Sequence, residues 1–319
     1  MKGSPSMPDT PIPTSQGRIG DEIPIGWIGL GSMGLPMATR LAGAGFPLFV
    51  YNRTPKTLDT AGHVTVCQTP AEVASLGRIL FVMVTDGKAS ANIFRGTGGL
   101  LEADLRDIIV VNMTTESPGE AVSEAEAVEN AGGVYFDIPV SGSVVPAQKG
   151  ELLLLAGGDS SLEPFLKPAL SVLGSGPKWM GPVGSGMKTK LVLNALLAAH
   201  MRDLAEAILL AESLGLSRKA VSEVILDSPL ATPFYRIKTR NILEDDFRKA
   251  FSVALMTKDL SLLSFEFKKM GKEFPPLFAD LESTYRSMNE SGSGDRDLSA
   301  IYARLKAERL RGLGGPGGA

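Results

Sequence analysis

The stretch Pro24-Ile25-Gly26-Trp27-Ile28-Gly29-Leu30-Gly31-Ser32-Met33-Gly34 decides how the rest of the chain is read. A short apolar run, IPIGWI, stops at Gly29, and the segment after Gly34, LPMATRLAGAG, has helical spacing. Three glycines spaced GxGxxG between a strand and a helix form the dinucleotide fingerprint. Gly29 makes the tight turn, Gly31 lets backbone approach a pyrophosphate, and Gly34 lets the helix pack against the strand. The helix N-terminus adds unsatisfied N–H groups and the positive end of its dipole, so Leu30, Ser32 and Met33 fall inside an anion-binding loop. A glycine-rich turn with no ligand would need neither the strand before it nor the helix after it.

Outward from this point the chain alternates short apolar runs with helix-length segments: PLFVY, RILFVMV, DIIVVN and VYFDIPV, then ELLLLAGG and PKWMG. The runs are nearly continuous in apolar character, as strands of a parallel sheet covered on both faces should be. After Gly184 the spacing becomes helical throughout. One segment from about Met187 to Leu214 predicts a helix of roughly 40 Å with Gly215 at its C-terminal cap. Its LVLNALLAA portion is apolar nearly all round, which predicts burial on every side and suggests a strut between two domains, packed as well against a partner chain. The expected organisation is a disordered lead over residues 1–22, a doubly wound α/β domain over 23–184, an all-helical domain over 185–309 joined to it by the long helix, and a flexible tail over 310–319.

Bulk properties narrow the function. A chain of 319 residues with 44 % hydrophobic content is long enough for two cores. A net charge of −3 gives no field that would draw in nucleic acid or an acidic membrane, which favours a small molecule captured locally. The single cysteine, Cys67, excludes an internal disulfide and fits a reducing, cytoplasmic setting. Two histidines, His63 and His200, are too few and too far apart for a histidine-based metal site, and no run is long enough to span a membrane.

Further motifs sit where strands end. PLFVY is followed by Asn52-Arg53-Thr54, where an enzyme selective for NAD usually carries an acid that binds the ribose hydroxyls. Here no carboxylate repels a 2′-phosphate and Arg53 offers a planar, always-charged fork, so NADP is favoured over NAD. The plainer alternative is that Arg53 solvates a strand end, which leaves the cofactor open. Asn112-Met113-Thr114-Thr115 and the segment closing on Ser141-Gly142-Ser143 also end strands, and the latter offers hydroxyls and close backbone N–H groups to a carboxylate or carbonyl oxygen. On spacing alone, a loop of small residues is more often just a turn. Lys190 and Asn194, four apart, share one helix face at the start of an apolar segment where a bare ammonium is costly. The competing reading has Lys190 pointing into water.

Taken in order, GLGSMG, NRT, NMTT, DIPVSGS, GSGMKTKLVLN and Met256-Thr257-Lys258-Asp259-Leu260 resemble the motif set of the β-hydroxyacid dehydrogenases, from about Pro24 to Arg309. Within that family, PVSGSVVPAQKGEL and the doubled lysine of GMKTKLVLN most resemble the glyoxylate/succinic semialdehyde reductase branch, with 3-hydroxyisobutyrate dehydrogenase and tartronate semialdehyde reductase as the alternatives. The resemblance implies that Lys190 is catalytic, with Lys188 as its rival, and that Ser141, Gly142, Ser143 and Asn194 bind substrate. It implies that Gly29 to Gly34, Asn52, Arg53, Thr54, Thr115 and Lys258 line the NADP site. Two positions depart from the family pattern: Ile138 stands for a usual alanine, and Asn112 and Thr114 stand for an acid and a serine. By this reading NADPH reduces a small carboxylate-bearing aldehyde or ketone in a homodimer or homotetramer. An imine reductase or a non-catalytic nucleotide-binding module on the same fold are the rivals; the first usually lacks the lysine, and intact Lys190, Asn194 and Ser141-Gly142-Ser143, with no basic tail or patch, disfavour the second.

Overall fold

The computed structural model describes residues 23–60 and 62–313, so the lead expected over 1–22 lies outside the described residues. The chain divides into two compact units after Lys190. In the first unit, strands β1 (Ile25–Ile28), β2 (Leu48–Tyr51), β3 (Val64–Val66), β4 (Ile79–Val82), β5 (Ile109–Asn112) and β6 (Val134–Asp137) lie parallel in the order β3-β2-β1-β4-β5-β6. That order reverses between β1 and β4, and doubly wound sheets bind their ligands in the crevice at the carboxyl ends of such a pair. Beyond β6 the sheet changes direction. β8 (Leu152–Gly157) runs antiparallel to β6 and to β7 (Val140–Ser141), and β9 (Gly174–Gly181) runs parallel to β8. The pairs Asp137↔Gly157, Val140↔Leu154 and Ser141↔Leu153 keep one register, so β7 prolongs β6 across the Ile138-Pro139 step.

Alternate residues of the central strands enter two different cores, which is why those strands read as unbroken apolar runs. Ile25, Trp27, Ile79, Phe81, Ile109 and Val111 pack on one face with α1 (Gly34–Gly43) and α6 (Glu163–Leu173). Ile28, Leu80, Val82, Val110 and Tyr135 pack on the other with α2 (Pro70–Leu76), α3 (Gly87–Arg95) and α4 (Pro118–Asn130). Short α5 (Val144–Lys149) follows β7. Two strands were not expected from the sequence. β3 has the pattern of a half-exposed edge, and β7 has only two residues, too few to leave a periodic signal.

The long helix α7 runs Ser185–Ser213, and Gly215 follows it with φ 77°, the left-handed conformation expected of a C-terminal glycine. The division between the units falls inside this helix. Within the second unit, Leu191, Ala195, Ala198, Met201, Leu204 and Ile208 form the buried stripe of α7 against α9 (Pro233–Leu243), α10 (Val253–Lys269), α11 (Pro276–Met288) and α12 (Ile301–Leu313). α8 (Arg218–Asp227) completes the set, and among the described residues no named strand follows β9. Two expectations are corrected. Val192 and Leu196 are exposed at 58 % and 46 %, so α7 is not buried on every side within one chain. Residues 310–313 of the expected tail continue α12, and the rest of it lies outside the described residues.

A buried ion pair braces the helical unit. Lys238 Nζ on α9 donates to Asp297 Oδ1 at 2.7 Å, and that carboxylate also accepts from the Ser299 backbone at 3.0 Å, the Ser299 hydroxyl at 2.7 Å and the Phe251 backbone at 3.1 Å. Burial alone would raise the Asp297 pKa, but the Lys238 charge and these donors hold it below the usual carboxylate range. Its stabilising contribution is therefore present at neutral pH and lost as pH falls through that depressed value. Lys238→Met is expected to leave a buried carboxylate without its cation and lower stability by about 3 kcal/mol in urea unfolding. A change below about 1 kcal/mol would mean that the pair braces nothing.

Candidate functional site

The loop after β1 is built around two glycines that no other residue can replace. Gly29 has φ 102°, and a Cβ there would lie 2.1 Å from the Met83 carbonyl oxygen. A Cβ on Gly34 would lie 2.0 Å from the Gly29 carbonyl oxygen, so the start of α1 can close onto the turn only without a side chain. Trp27, stacked on Phe81 at 5.4 Å, donates its indole N–H to that same Gly29 oxygen at 2.9 Å. Gly31 is different: a Cβ there would meet nothing within 4 Å. Its lack of a side chain serves no contact inside the protein and leaves a cradle open above the loop. α1 begins after Met33 with no side-chain cap; in its first turn the Leu35 N–H is held by the Gly31 carbonyl at 3.0 Å and Pro36 has none, so the Gly34 N–H is the one that can meet an anion. Open backbone beside an uncapped helix start is what a dinucleotide pyrophosphate needs, so these residues fit the cofactor.

The segment after β2 holds this loop in shape. Asn52 Oδ1 accepts from the Leu30 backbone at 2.8 Å, and its Nδ2 donates to the Thr54 carbonyl at 2.6 Å. Lys56 Nζ donates to the Leu30 carbonyl at 3.0 Å. Asn52 thus shapes the loop, while Arg53 and Thr54 are exposed beside it. Lys56 was passed over in the sequence because a lysine in an irregular segment carries no periodic signal.

Ser141 is half-buried and Gly142 and Ser143 are exposed beyond the prolonged end of β6, so they share the carboxyl edge of the sheet with the glycine loop and with Thr114-Thr115 after β5. Thr114 Oγ1 accepts from the Val84 backbone at 3.1 Å, which ties the loop after β5 to the one after β4, while Thr115 is half-buried. The first unit therefore gathers Gly29 to Gly34, Asn52, Arg53, Thr54, Thr115, Ser141, Gly142 and Ser143 along one edge.

Asp137, the last residue of β6, fixes where α7 begins. Its Oδ1 accepts from the Gly184 backbone and its Oδ2 from the Met187 backbone, both at 2.8 Å. Burial raises its pKa to about 6, against the pull of these donors. Between the ordinary value of 3.8 and about 6 the folded chain binds this proton more tightly than the unfolded one, so the stability from this group declines as pH rises across that window. Lys190 follows one turn later and is buried, as is Asn194 four residues on, whereas the rival Lys188 is exposed. Within the second unit, Asn194 Nδ2 donates to Asp259 Oδ2 at 2.6 Å, and Lys258 Nζ lies 3.1 Å from Asp259 Oδ1. Asp259 is thus the group that joins Asn194 to Lys258. An acid beside a lysine reads in sequence as a solvated pair; its burial among helices reveals the role.

Residues 24–183 match the family model described as the NAD binding domain of 6-phosphogluconate dehydrogenase, and residues 184–305 match that of the NAD-binding of NADP-dependent 3-hydroxyisobutyrate dehydrogenase. The chain is 30 % identical to glyoxylate/succinic semialdehyde reductase 1 of Arabidopsis thaliana, over 89 % of this chain and 99 % of that one. It is 30 % identical to 2-hydroxy-3-oxopropionate reductase of Escherichia coli, over 88 % and 97 % respectively. Among solved structures, 3-hydroxyisobutyrate dehydrogenase of Mycobacterium tuberculosis with L-serine superposes with a TM-score of 0.79 at 27 % identity, covering 89 % of this chain and 99 % of that one.

The two kinds of glycine give a clean contrast. Gly31→Ala should fold with an unchanged melting temperature yet bind NADPH roughly tenfold more weakly, since the new methyl occupies only the open cradle. Gly29→Ala should fail to fold stably, because its Cβ strikes the Met83 carbonyl. Thermal melts with and without NADPH read both, and unchanged NADPH binding in Gly31→Ala would remove the cradle.

Proposed function

Since the chain belongs to the β-hydroxyacid dehydrogenase family, we propose that it reduces a short semialdehyde or 2-oxo acid of the glyoxylate or succinic semialdehyde type, using NADP, with Lys190 as the proton donor. It is an NAD(P)-dependent oxidoreductase acting on hydroxyl or oxo groups. The observation that carries the finer reading is the buried amine of Lys190, one helical turn before the buried amide of Asn194. An ammonium beside a developing oxyanion stabilises the charge that grows there.

The dinucleotide, when bound along Gly29 to Gly34 and the Asn52 to Thr54 segment, supplies or accepts the hydride. Lys190 Nζ gives its proton to the substrate oxygen as negative charge grows there, and in the reverse direction its neutral amine takes the alcohol proton back. Ser141, Gly142 and Ser143 bind the substrate carboxylate through hydroxyl and backbone donors. Asn194, held by Asp259, is assigned to the substrate, and Lys258, held by the same carboxylate, to the cofactor. Arg53, exposed beside the loop that Asn52 and Lys56 hold, pairs with a 2′-phosphate and selects NADP. The exposed Val192 and Leu196 of α7 and the single buried Cys67 are compatible with a homo-oligomer in a reducing compartment. Among the described residues no helix is long and apolar enough to cross a membrane.

Lys190→Ala is expected to lose about 10²–10⁴-fold in turnover while still binding NADPH, the range of a positioned proton donor. Near-normal turnover would refute the assignment. Arg53→Ala should raise the KM for NADPH and leave that for NADH almost unchanged; equal effects on both would show that the guanidinium does not read the 2′-phosphate. NADPH consumption with glyoxylate, succinic semialdehyde, tartronate semialdehyde and a cyclic imine in turn tests the substrate class, and a preference for the imine would overturn it.

A further inference from the structure

A buried polar cluster beneath the carboxyl end of β5 takes no part in the chemistry above. Glu116, between β5 and α4, and Glu124 on α4 are 1 % and 2 % exposed. The amide nitrogen of Asn112 donates to Glu116 Oε1 at 3.1 Å, Glu124 Oε2 at 2.8 Å and Ser90 Oγ at 3.0 Å. Ser90 in turn donates to Glu124 Oε1 at 2.9 Å, and the Tyr135 hydroxyl donates to Glu124 Oε2 at 3.0 Å. Two carboxyl groups bonded to one nitrogen in a desolvated interior cannot both ionise without placing like charges side by side. Glu116 Oε2 meets no donor, which suits a carboxyl group that keeps its own proton.

The cluster is coupled to the loop above it. Asn112 Oδ1 accepts from the Thr114 backbone at 2.9 Å, so the amide that serves the two glutamates also shapes the Thr114-Thr115 loop, and Thr114 ties that loop to Val84. We propose that Glu116 and Glu124 are positioning residues that share one proton, and that this proton, acting through Asn112, holds the Thr114-Thr115 loop in the form that binds the dinucleotide. The inference rests on the reading that this loop lines the cofactor site. Loss of the proton adds a second buried charge, and the amide that both carboxylates compete for turns away from Thr114.

The surrounding groups set the sign. Burial and then the Glu124 charge push Glu116 up to about 9, Glu120 on the same helix adds to this, and burial raises Glu124 as well. On β6, Tyr135 is held well above its ordinary value, chiefly by burial, and Asp137 is a further acid. On α3, Asp86 caps the helix through Ala89, and the exposed Arg95 donates to Ser123. α7 adds Met187 to the same core. The proton is therefore present at neutral pH and lost in alkali, and cofactor binding should weaken as pH rises.

The test is NADPH titration of the full chain between neutral pH and about pH 10, read by nicotinamide fluorescence, with infrared absorption of protonated carboxyl groups in parallel. The native protein should hold a constant Kd and then weaken toward about tenfold per pH unit above about 9, the limit for one linked proton. Glu116→Gln, neutral at every pH, and Glu116→Leu should both give flat profiles and lose a carboxyl absorption that the native chain shows at neutral pH. A merely structural role would shift melting and leave the shape of the profile alone. A flat native profile, a native-like slope in both variants, or no protonated carboxyl overturns the proposal. Thr115→Ala says where the fault lies: if it too leaves Kd unchanged, the loop does not line the cofactor site, and if it weakens binding, the shared proton is wrong.

Discussion

The carboxylate of Asp137 at the start of α7 is the constraint on which the candidate site depends. Both of its oxygens are taken by backbone N–H groups, of Gly184 and Met187, which fastens the first turn of the longest helix to the end of β6. A helix start buried without such an acceptor would leave donors unsatisfied in a desolvated place. With it, the first turn of α7 is fixed at the end of β6, and helix geometry puts Lys190 one turn on. The fit is tight on the far side too, because a Cβ on Gly157 would lie 2.2 Å from Asp137 Oδ1.

The same economy recurs in the glycine loop, which several polar groups hold from below while its upper side stays bare. Trp27 takes the Gly29 carbonyl, Asn52 the Leu30 N–H, and Lys56 the Leu30 carbonyl. Each of these groups would otherwise have to be satisfied by water or by ligand, and a loop that relaxed around them would lose its shape between binding events. Preorganisation of this kind lets a cofactor meet backbone N–H groups already aimed outward. Helical positions treat charge differently: Asp259 gathers Asn194 and Lys258 in the interior of the second unit, where one carboxylate orients two donors.

Asn112 illustrates how a single departure from a familiar motif rearranges its neighbourhood. An acid at this position would accept hydrogen bonds only, whereas the amide both accepts from Thr114 and donates to two glutamates and a serine. Burial of Glu116 and Glu124 becomes tolerable because the amide, Ser90 and Tyr135 supply donors around them. The result is a cluster with one negative charge fewer than its carboxyl groups would suggest.

The sequence by itself determined the doubly wound unit, the helical unit that follows it, the glycine loop and the lysine–asparagine pair on α7, since each leaves a local signal in apolar period or fixed spacing. It left β3 and β7 unread, because an exposed edge and a two-residue strand carry no such period. Only tertiary structure decided that Asn52 shapes the loop rather than facing outward, that Asp137 anchors α7, that Asp259 joins Asn194 to Lys258, and that Glu116 and Glu124 meet at Asn112. The reason is physical. These are contacts between residues that can lie tens of positions apart, made by side chains whose meaning depends on desolvation, and desolvation exists only once the chain has folded.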